Sequence, residues 1–255
     1  SVSLKSGDIQ ERPPALPQAR GKLPRLLYLH VPFCEKLCPY CSFNRFLFDA
    51  TRCRRYFHAL QREIHLYRDR GYDFAGIYVG GGTPTVMIDE LAATLERARE
   101  CFSIREISVE TNPNHLTEDR LNILKSAGVN RLSVGVQSFD DGLLKDVDRL
   151  EKYGSGAEVA ARLAAIGGRF DTLNADMMFN FPSQTPEILA RDLDVLMRIG
   201  VDQVTYYPLM VSDSTRRQVT EKLGEVDYGR EEEYYDRILR RLLPTYRPSS
   251  ARCFF

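Results

Sequence analysis

Two hydrophobic patterns alternate along this chain. Short runs of apolar, β-branched and aromatic residues predict strands that are buried in a parallel sheet. These runs cover residues 26–31, 76–79, 106–110, 131–135, 172–178 and 203–208. Between them, apolar residues recur at helical spacing, as Leu189, Leu193 and Leu196 do, which predicts amphipathic helices. The predicted helices cover residues 51–70, 89–101, 118–127, 142–148, 156–166, 186–199 and 229–243.

Residues that cap helices support these boundaries. Gly128, Gly200 and the pair Gly167-Gly168 follow predicted helices, where a left-handed residue commonly ends a helix. Six strand–helix units in succession predict an α/β protein with a parallel sheet, either doubly wound or closed wholly or partly into a barrel. In each arrangement the active site lies at the carboxyl ends of the strands. Polar or reactive residues near these predicted ends include a cysteine cluster, a glycine-rich run, Glu110, Gln137, Asp176 and Tyr207.

Composition narrows the class of protein. Of the 255 residues, 43% are hydrophobic and 27% are charged, as in ordinary globular proteins. The 35 basic and 35 acidic residues cancel, which argues against a protein that binds nucleic acid through bulk charge. No apolar stretch approaches the roughly 18–20 residues that span a bilayer. Residues 1–25 are polar and proline-rich and lack the apolar segment of a secretory signal. We therefore expect a cytoplasmic protein.

Three of the six cysteines lie within eight residues, at Cys34, Cys38 and Cys41. Three thiolates are one too few for a closed zinc site or an all-cysteine cubane. A [4Fe–4S] cluster on three thiolates leaves one iron open to an exchangeable ligand, such as S-adenosylmethionine (SAM). The alternative is a zinc knuckle completed by His30. The other cysteines are interpreted as thiols without a ligand role, although the last of them could approach the site: Cys53, Cys101 and Cys253.

The cysteine loop and four further segments carry a resemblance to a known family. The segments are His30-Val31-Pro32-Phe33-Cys34, Gly80-Gly81-Gly82-Thr83-Pro84-Thr85, Val109-Glu110, Gly135-Val136-Gln137-Ser138-Phe139 and Pro182-Ser183-Gln184-Thr185-Pro186. In order and spacing, residues 24–210 resemble the radical SAM superfamily and, within it, the oxygen-independent coproporphyrinogen III oxidase group. That group includes porphyrinogen dehydrogenases, heme chaperones and class C radical SAM methyltransferases. The resemblance implies a partial (β/α)6 TIM-like barrel of parallel strands.

The resemblance also implies a cofactor for each part of the predicted site. Cys34, Cys38 and Cys41 would hold the [4Fe–4S] cluster. Positions that match the first SAM site are Tyr28, Tyr40, Gly81, Glu110 and Met210. Positions that match a second SAM site are Gly82, Thr83, Gln137, Arg149 and Asp176. Each of the latter has a simpler alternative: Arg149, for example, could be a solvated residue at the end of a short helix, and Asp176 a buried, hydrogen-bonded strand residue. No catalytic residue is assigned.

Two positions depart from the family pattern. Cys41 is followed by Ser42-Phe43 where some members carry Cys-x-Cys, and Asn180-Phe181-Pro182 replaces a Gly-Leu-Pro segment. The expected organisation is an N-terminal extension over residues 1–25, a radical SAM core over 26–210, and the start of an incomplete C-terminal region over 211–255.

The resemblance leaves three functions open. The favoured hypothesis is class C-type methyl transfer, in which a 5′-deoxyadenosyl radical activates a second SAM for attack on an sp2 carbon of an aromatic, quinone or tetrapyrrole substrate. The alternatives are oxidative decarboxylation of coproporphyrinogen III and non-catalytic heme binding by a chaperone. The implied partners are the small-molecule substrate and an electron donor such as flavodoxin or ferredoxin.

Substrate contacts are suggested by two groups of residues. Arginines near the cysteine loop could bind propionates, although a solvated helix face explains each of them as well: Arg45, Arg52, Arg54, Arg55, Arg62, Arg68 and Arg70. Four aromatic residues could form a flat pocket wall, and core packing explains them equally well: Phe179, Phe181, Tyr206 and Tyr207.

Overall fold

The computed structural model describes residues 18, 19 and 25–255. The strands are β1 (Leu26–Val31), β2 (Phe33–Cys34), β3 (Phe46–Leu47), β4 (Gly76–Gly81), β5 (Glu106–Thr111), β6 (Arg131–Gln137), β7 (Thr172–Phe179), β8 (Gln203–Pro208), β9 (Pro248–Ser250) and β10 (Cys253–Phe254). The helices are α1 (Ala50–Asp69), α2 (Ile88–Cys101), α3 (Glu118–Ser126), α4 (Asp141–Asp146), α5 (Leu150–Tyr153), α6 (Gly156–Ala165), α7 (Pro186–Ile199), α8 (Arg216–Leu223) and α9 (Glu231–Leu242).

Six parallel strands form the centre of the fold, in the order β1-β4-β5-β6-β7-β8. The sheet and its helices form a half-barrel, so the predicted partial (β/α)6 architecture is confirmed. All six predicted strands and seven predicted helices are present, with ends shifted by at most two residues. Among the described residues, no helix combines the length and apolarity needed to cross a bilayer.

The two faces of the sheet differ in polarity. On β1, Leu27, Leu29 and Val31 are buried in the core, while Tyr28 and His30 lie on the other face because side chains alternate along a strand. The same alternation puts the apolar positions of the other strands against the helices. The opposite face carries polar groups, among them Ser133, Asn174, Asp176 and Thr205. The concave face of the half-barrel is therefore a polar surface that can receive a ligand.

Several short elements were not predicted. The strands β2, β3, β9 and β10 have two or three residues each, and α5 has four, which is too short for a hydrophobic period. The predicted helix 229–243 begins instead with a 3-10 turn at Tyr228–Arg230, and α9 follows it. Pairing with distant strands, which local pattern does not encode, fixes β10 antiparallel to β8.

Residues after 210 pack on the same core as the central strands. Tyr234, Ile238 and Leu242 of α9 belong to the main hydrophobic cluster, and β10 extends the sheet beyond β8. The predicted domain division at residue 210 stays a prediction. The predicted extension over residues 1–25 lies outside the described residues, apart from residues 18, 19 and 25.

A buried carboxyl on α7 holds the loop that follows β6. Asp192 is 1% exposed, and it accepts hydrogen bonds from Ser138 Oγ at 2.7 Å and from the Phe139 backbone N–H at 2.8 Å. Burial raises the pKa of Asp192 to about 7, and these hydrogen bonds oppose the rise only in part. Asp192 thus fixes the chain immediately after Gln137.

We expect Asp192→Asn to flatten the pH dependence of stability. Because the folded pKa of Asp192, about 7, exceeds the unfolded value of about 4, the folded state binds the extra proton between these values. The wild-type protein should therefore lose stability as pH rises through this window, with a slope approaching about 1.4 kcal/mol per pH unit. Anaerobic urea unfolding of both proteins between pH 5 and 8 measures the difference. Parallel pH profiles would contradict the assignment.

Candidate functional site

The cysteine loop lies between β2 and β3 and is closed by backbone hydrogen bonds. The Phe48 N–H donates to Cys34 O at 2.9 Å. The Arg45 guanidinium donates to the carbonyls of Cys38 and Cys41 at 2.7 and 2.6 Å. Cys34 and Cys38 are buried, and Cys41 is partly buried. Arg45 therefore satisfies the hydrogen-bonding capacity of two loop carbonyls that would otherwise bind water. Its guanidinium is held in the loop and is not available to a substrate.

Glu35 joins the cysteine loop to two other elements. Its carboxylate accepts hydrogen bonds from Asn114 Nδ2 at 2.8 Å and from Lys152 Nζ at 2.8 Å, and it pairs with His115 Nε2 at 2.9 Å. Burial opposes ionisation of Glu35, but the bonds from Lys152 and Asn114 hold its pKa below the usual range. Sequence analysis missed Glu35, because its partners lie roughly 80 and 117 residues away in the chain.

The loop fits an iron–sulfur cluster better than a single metal ion. All six cysteines are free thiols. Among the described residues, no three His, Cys, Asp or Glu side chains converge closely enough to hold one ion; in a cubane each thiolate binds a different iron, so its sulfurs stand further apart. His30 uses both ring nitrogens, with Tyr28 Oη and Asn44 O each at 3.0 Å. The zinc knuckle completed by His30 therefore finds no support.

The glycine-rich segment leaves room beside the first cysteine. A Cβ at Gly82 would lie 2.7 Å from Phe33 O and 2.9 Å from Cys34 Sγ. Burial raises the pKa of the Cys34 thiol to about 11, and the neighbouring Thr83 side chain opposes this rise only in part. Without the cluster this thiol is neutral at physiological pH, so metal binding must displace its proton.

The residues predicted for the first SAM lie along the carboxyl edge of β1, β4 and β5. Glu110 accepts hydrogen bonds from the Gly81 N–H at 3.2 Å and from Tyr78 Oη. Burial raises the pKa of Glu110, and the nearby Asp176 adds to the effect. Gly81 has φ +116°, where a side chain would be strained and would meet the His30 ring. Tyr28 is half-exposed on the same face. These residues form one polar cluster, which Tyr28 leaves partly exposed to solvent.

The two remaining first-SAM positions, Tyr40 and Met210, have different surroundings. Tyr40 is partly buried against the smaller hydrophobic cluster around Phe181 and Leu209. Met210 is 60% exposed just beyond β8. Their role in SAM binding stays a prediction.

The residues predicted for the second SAM are brought to the same edge. Gln137 ends β6 in a left-handed conformation, with φ 75°, beside a register shift in the pairing with β7. Asp176 accepts hydrogen bonds from Ser133 Oγ at 2.7 Å and Asn174 Nδ2 at 2.9 Å, and burial raises its pKa. Asp176 is therefore a hydrogen-bonded strand residue, as the simpler of its two interpretations expected.

Arg149 is not solvated: only 3% of it is exposed. Its guanidinium lies 3.7 Å from Cys38 Sγ and donates to Asn112 Oδ1 at 2.9 Å. The same guanidinium is placed over the Tyr153 ring at 4.1 Å. A role for Arg149 in binding a second SAM stays a prediction, and its contact with a cysteine of the cluster loop is an unpredicted feature.

Most of the aromatic and basic residues suggested for substrate contact have structural partners. Phe179, Phe181 and Tyr206 are at most 1% exposed and pack in the core, whereas Tyr207 is 42% exposed. Arg54 pairs with Glu90. Arg68 pairs with Asp69, and Arg52 lies over the Phe46 ring. Of the four aromatic residues, only Tyr207 is available to a ligand on the concave face.

Comparison with known proteins decides the family. The model of the radical SAM superfamily matches residues 28–196. The chain belongs to the radical SAM superfamily. Members of this superfamily use a [4Fe–4S] cluster and SAM. The cysteine loop and the glycine-rich segment are the parts of the fold that suit these cofactors.

Similar proteins place this radical SAM chain with the coproporphyrinogen oxidase-like group. It is 36% identical over 195 residues to "Heme chaperone HemW" of Bacillus subtilis, covering 74% of this chain and 51% of the relative. It is 30% identical over 200 residues to "Anaerobilin synthase" of Escherichia coli O157:H7, covering 75% and 44%. Coproporphyrinogen III oxidase (HemN) from Escherichia coli superimposes with a TM-score of 0.79 at 27% identity, covering 91% and 55%. The chain spans about half the length of the curated relatives it matches.

Replacing any one of Cys34, Cys38 and Cys41 with alanine should abolish assembly of the radical SAM cluster. Each thiolate binds a different iron, so two thiolates leave a second iron without a protein ligand. Iron and sulfide content after anaerobic reconstitution measures the loss. Cys53→Ala and Cys101→Ala are the controls and should retain full iron. Full iron in Cys34→Ala would refute the ligand assignment.

Gly82→Ala should impair cluster incorporation, because its Cβ would press on Phe33 O and Cys34 Sγ. Gly167→Ala is a matched control, since a Cβ there would meet only Ala164 O at an ordinary 3.5 Å. We expect Gly82→Ala to bind several-fold less iron than the control at equal folded content, measured by circular dichroism. Equal iron in the two variants would show that the loop yields to the added methyl group.

Proposed function

We propose that this chain is the radical SAM core of a tetrapyrrole-handling protein, and that it binds heme as a chaperone. The 36% identity with the heme chaperone from Bacillus subtilis carries the proposal. The names of the anaerobilin synthase and coproporphyrinogen III oxidase relatives also concern tetrapyrroles. Since the chain matches only about half of each relative's length, the ligand and reaction of the whole protein are part of the proposal.

The concave face supports binding of a flat, amphiphilic ligand. Tyr28 and Tyr207 expose aromatic surface at the carboxyl edge of the half-barrel, where stacking on a macrocycle is favourable. Burial raises the pKa of Tyr207 to about 12, and the negative charges of Asp176 and Glu110 add to the rise. Tyr207 therefore stays protonated, and its hydroxyl can donate a hydrogen bond to a propionate.

The chain's own residues account for cofactor binding without the tetrapyrrole. Cys34, Cys38 and Cys41 would hold the cluster, which supplies the electron that cleaves SAM when both are bound. Glu110, oriented by Tyr78 and the Gly81 N–H, would accept hydrogen bonds from a ribose hydroxyl pair. Delivery of the electron by flavodoxin or ferredoxin stays a prediction.

The comparisons favour the heme-chaperone alternative over methyl transfer, the hypothesis that the sequence analysis favoured. The Asn180-Phe181-Pro182 segment, which departs from the Gly-Leu-Pro of the family pattern, would favour methyl transfer only if it changed the backbone. Asn180 has φ 66°, and asparagine is among the few residues that tolerate this left-handed conformation. The substitution thus preserves the backbone that glycine would provide, and it gives no reason to infer a different reaction.

Oxidation of coproporphyrinogen III is the second candidate. The superposition on coproporphyrinogen III oxidase, with a TM-score of 0.79, is the observation that favours it. The two candidates share the cluster and at least one SAM, and they differ in whether a tetrapyrrole is turned over.

Anaerobic titration of the reconstituted protein with heme tests the proposal. We expect saturable, stoichiometric binding with a shift of the Soret band. Tyr207→Ala should weaken heme affinity by up to about tenfold, the contribution of one aromatic contact. Tyr228→Ala removes a similarly exposed tyrosine, 56% against 42% exposed, and should leave affinity unchanged.

A turnover assay separates the candidates. With dithionite, SAM and coproporphyrinogen III, formation of protoporphyrinogen would replace the chaperone proposal with decarboxylation. S-adenosylhomocysteine together with 5′-deoxyadenosine would instead restore methyl transfer. Absence of a Soret shift at excess heme would eliminate heme binding.

A further inference from the structure

Asn112 lies at the centre of the cluster environment, although the sequence analysis assigned it no role. It follows the end of β5, two residues after Glu110, and is only 9% exposed. Its amide nitrogen donates to Thr83 Oγ1 at 2.8 Å, and its amide oxygen accepts from Arg149 at 2.9 Å. Both polar atoms of this side chain are therefore committed to neighbours on different loops.

Each of these neighbours contacts a cysteine of the cluster loop. Because Thr83 Oγ1 accepts the bond from Asn112, its own proton is free to be donated. The Thr83 backbone N–H donates to the carbonyl of Phe33, the residue before Cys34, at 2.8 Å, which places the Thr83 side chain beside Cys34. Arg149 directs its other terminal nitrogen to Cys38 Sγ at 3.7 Å. A single amide thus orients one neutral donor toward Cys34 and one cationic donor toward Cys38.

The surroundings of Arg149 indicate an anion at this place. The guanidinium is 3% exposed, and its hydrogen-bond partners in the described chain are Asn112, the Gly135 carbonyl and Cys38. No carboxylate in that part of the protein forms an ion pair with it, and its Nε is buried without a partner. A buried cation is costly unless an opposite charge is close. Cysteine thiolates on a cluster provide that charge.

We propose that Asn112 is a positioning residue that sets the reduction potential of the cluster. It does so by directing the Thr83 hydroxyl toward the sulfur of Cys34 and the Arg149 guanidinium toward the sulfur of Cys38. Hydrogen bonds and positive charge at ligand sulfurs stabilise the reduced cluster, which carries one more electron, and so raise its potential. The inference requires the cluster but no tetrapyrrole.

The test is a redox titration of the reconstituted protein, followed by electron paramagnetic resonance, without SAM or heme. Asn112→Leu removes both hydrogen bonds and keeps the number and branching of the side-chain heavy atoms, and the midpoint potential should become more negative. Asn122→Leu is the control. Asn122 also accepts a hydrogen bond from an arginine, at 2.6 Å, but on the exposed surface of α3, and its loss should leave the potential unchanged.

Thr83 provides an independent test of the same geometry. Thr83→Val removes the hydroxyl and should also shift the potential to a more negative value, while Thr83→Ser keeps the donor and should restore it. In the double variant of Asn112→Leu with Thr83→Val, the shift should be smaller than the sum of the single shifts, because both act on the Cys34 sulfur. Where Asn112→Leu retains too little iron to titrate, the comparison of Thr83→Val with Thr83→Ser decides.

Two results would overturn the proposal. One is an unchanged potential in Asn112→Leu or in Thr83→Val at full iron and sulfide content. The other is additive shifts in the double variant, which would mean that Asn112 does not act through Thr83. Both readouts are independent of heme binding, so a failed heme titration leaves this inference standing, and the reverse also holds.

Discussion

The rest of the structure depends on one constraint: reactive thiols are buried next to the polar concave face. The thiol of Cys34 is neutral in a buried environment, with a pKa of about 11, yet it must be a thiolate to bind iron. Donors have to surround the sulfurs for this exchange to be favourable. The Arg149 guanidinium lies 3.7 Å from Cys38 Sγ, and the Thr83 side chain lies beside Cys34. Both residues come from loops at the carboxyl edge of the parallel sheet.

The half-barrel brings these donors together because its strands are parallel. Every strand end is followed by a loop at the same edge, so residues from β1, β4, β5 and β6 meet there although they are distant in the chain. The cysteine loop itself is held from both sides. Arg45 binds its carbonyls, and Glu35 links it to Asn114, His115 and Lys152.

An incomplete barrel explains why the inner face is polar. A closed eight-stranded barrel fills its interior with branched apolar side chains. Here six parallel strands, extended beyond β8 by the short strands β10 and β9, do not close into a barrel. Ser133, Asn174 and Asp176 form a hydrogen-bonded network on the open concave face. The apolar core lies instead between the sheet and the helices. This division provides a pocket for cofactor and ligand without weakening the core.

The sequence by itself determined the six long strands, seven of the helices, the parallel α/β class and the three cysteines of the cluster loop. Those features follow from local periodicity and local spacing, which the chain carries within a few residues. The tertiary structure decided the features that depend on contacts between distant segments. Arg149 had two open interpretations in the sequence, and only packing against Cys38 and Tyr153 buried it. Asn112 and Glu35 carried no signal, because their partners come from other strands and loops. Asn180 differs from the family pattern, and only the structure shows that it takes a left-handed conformation, with φ 66°, which glycine also adopts readily.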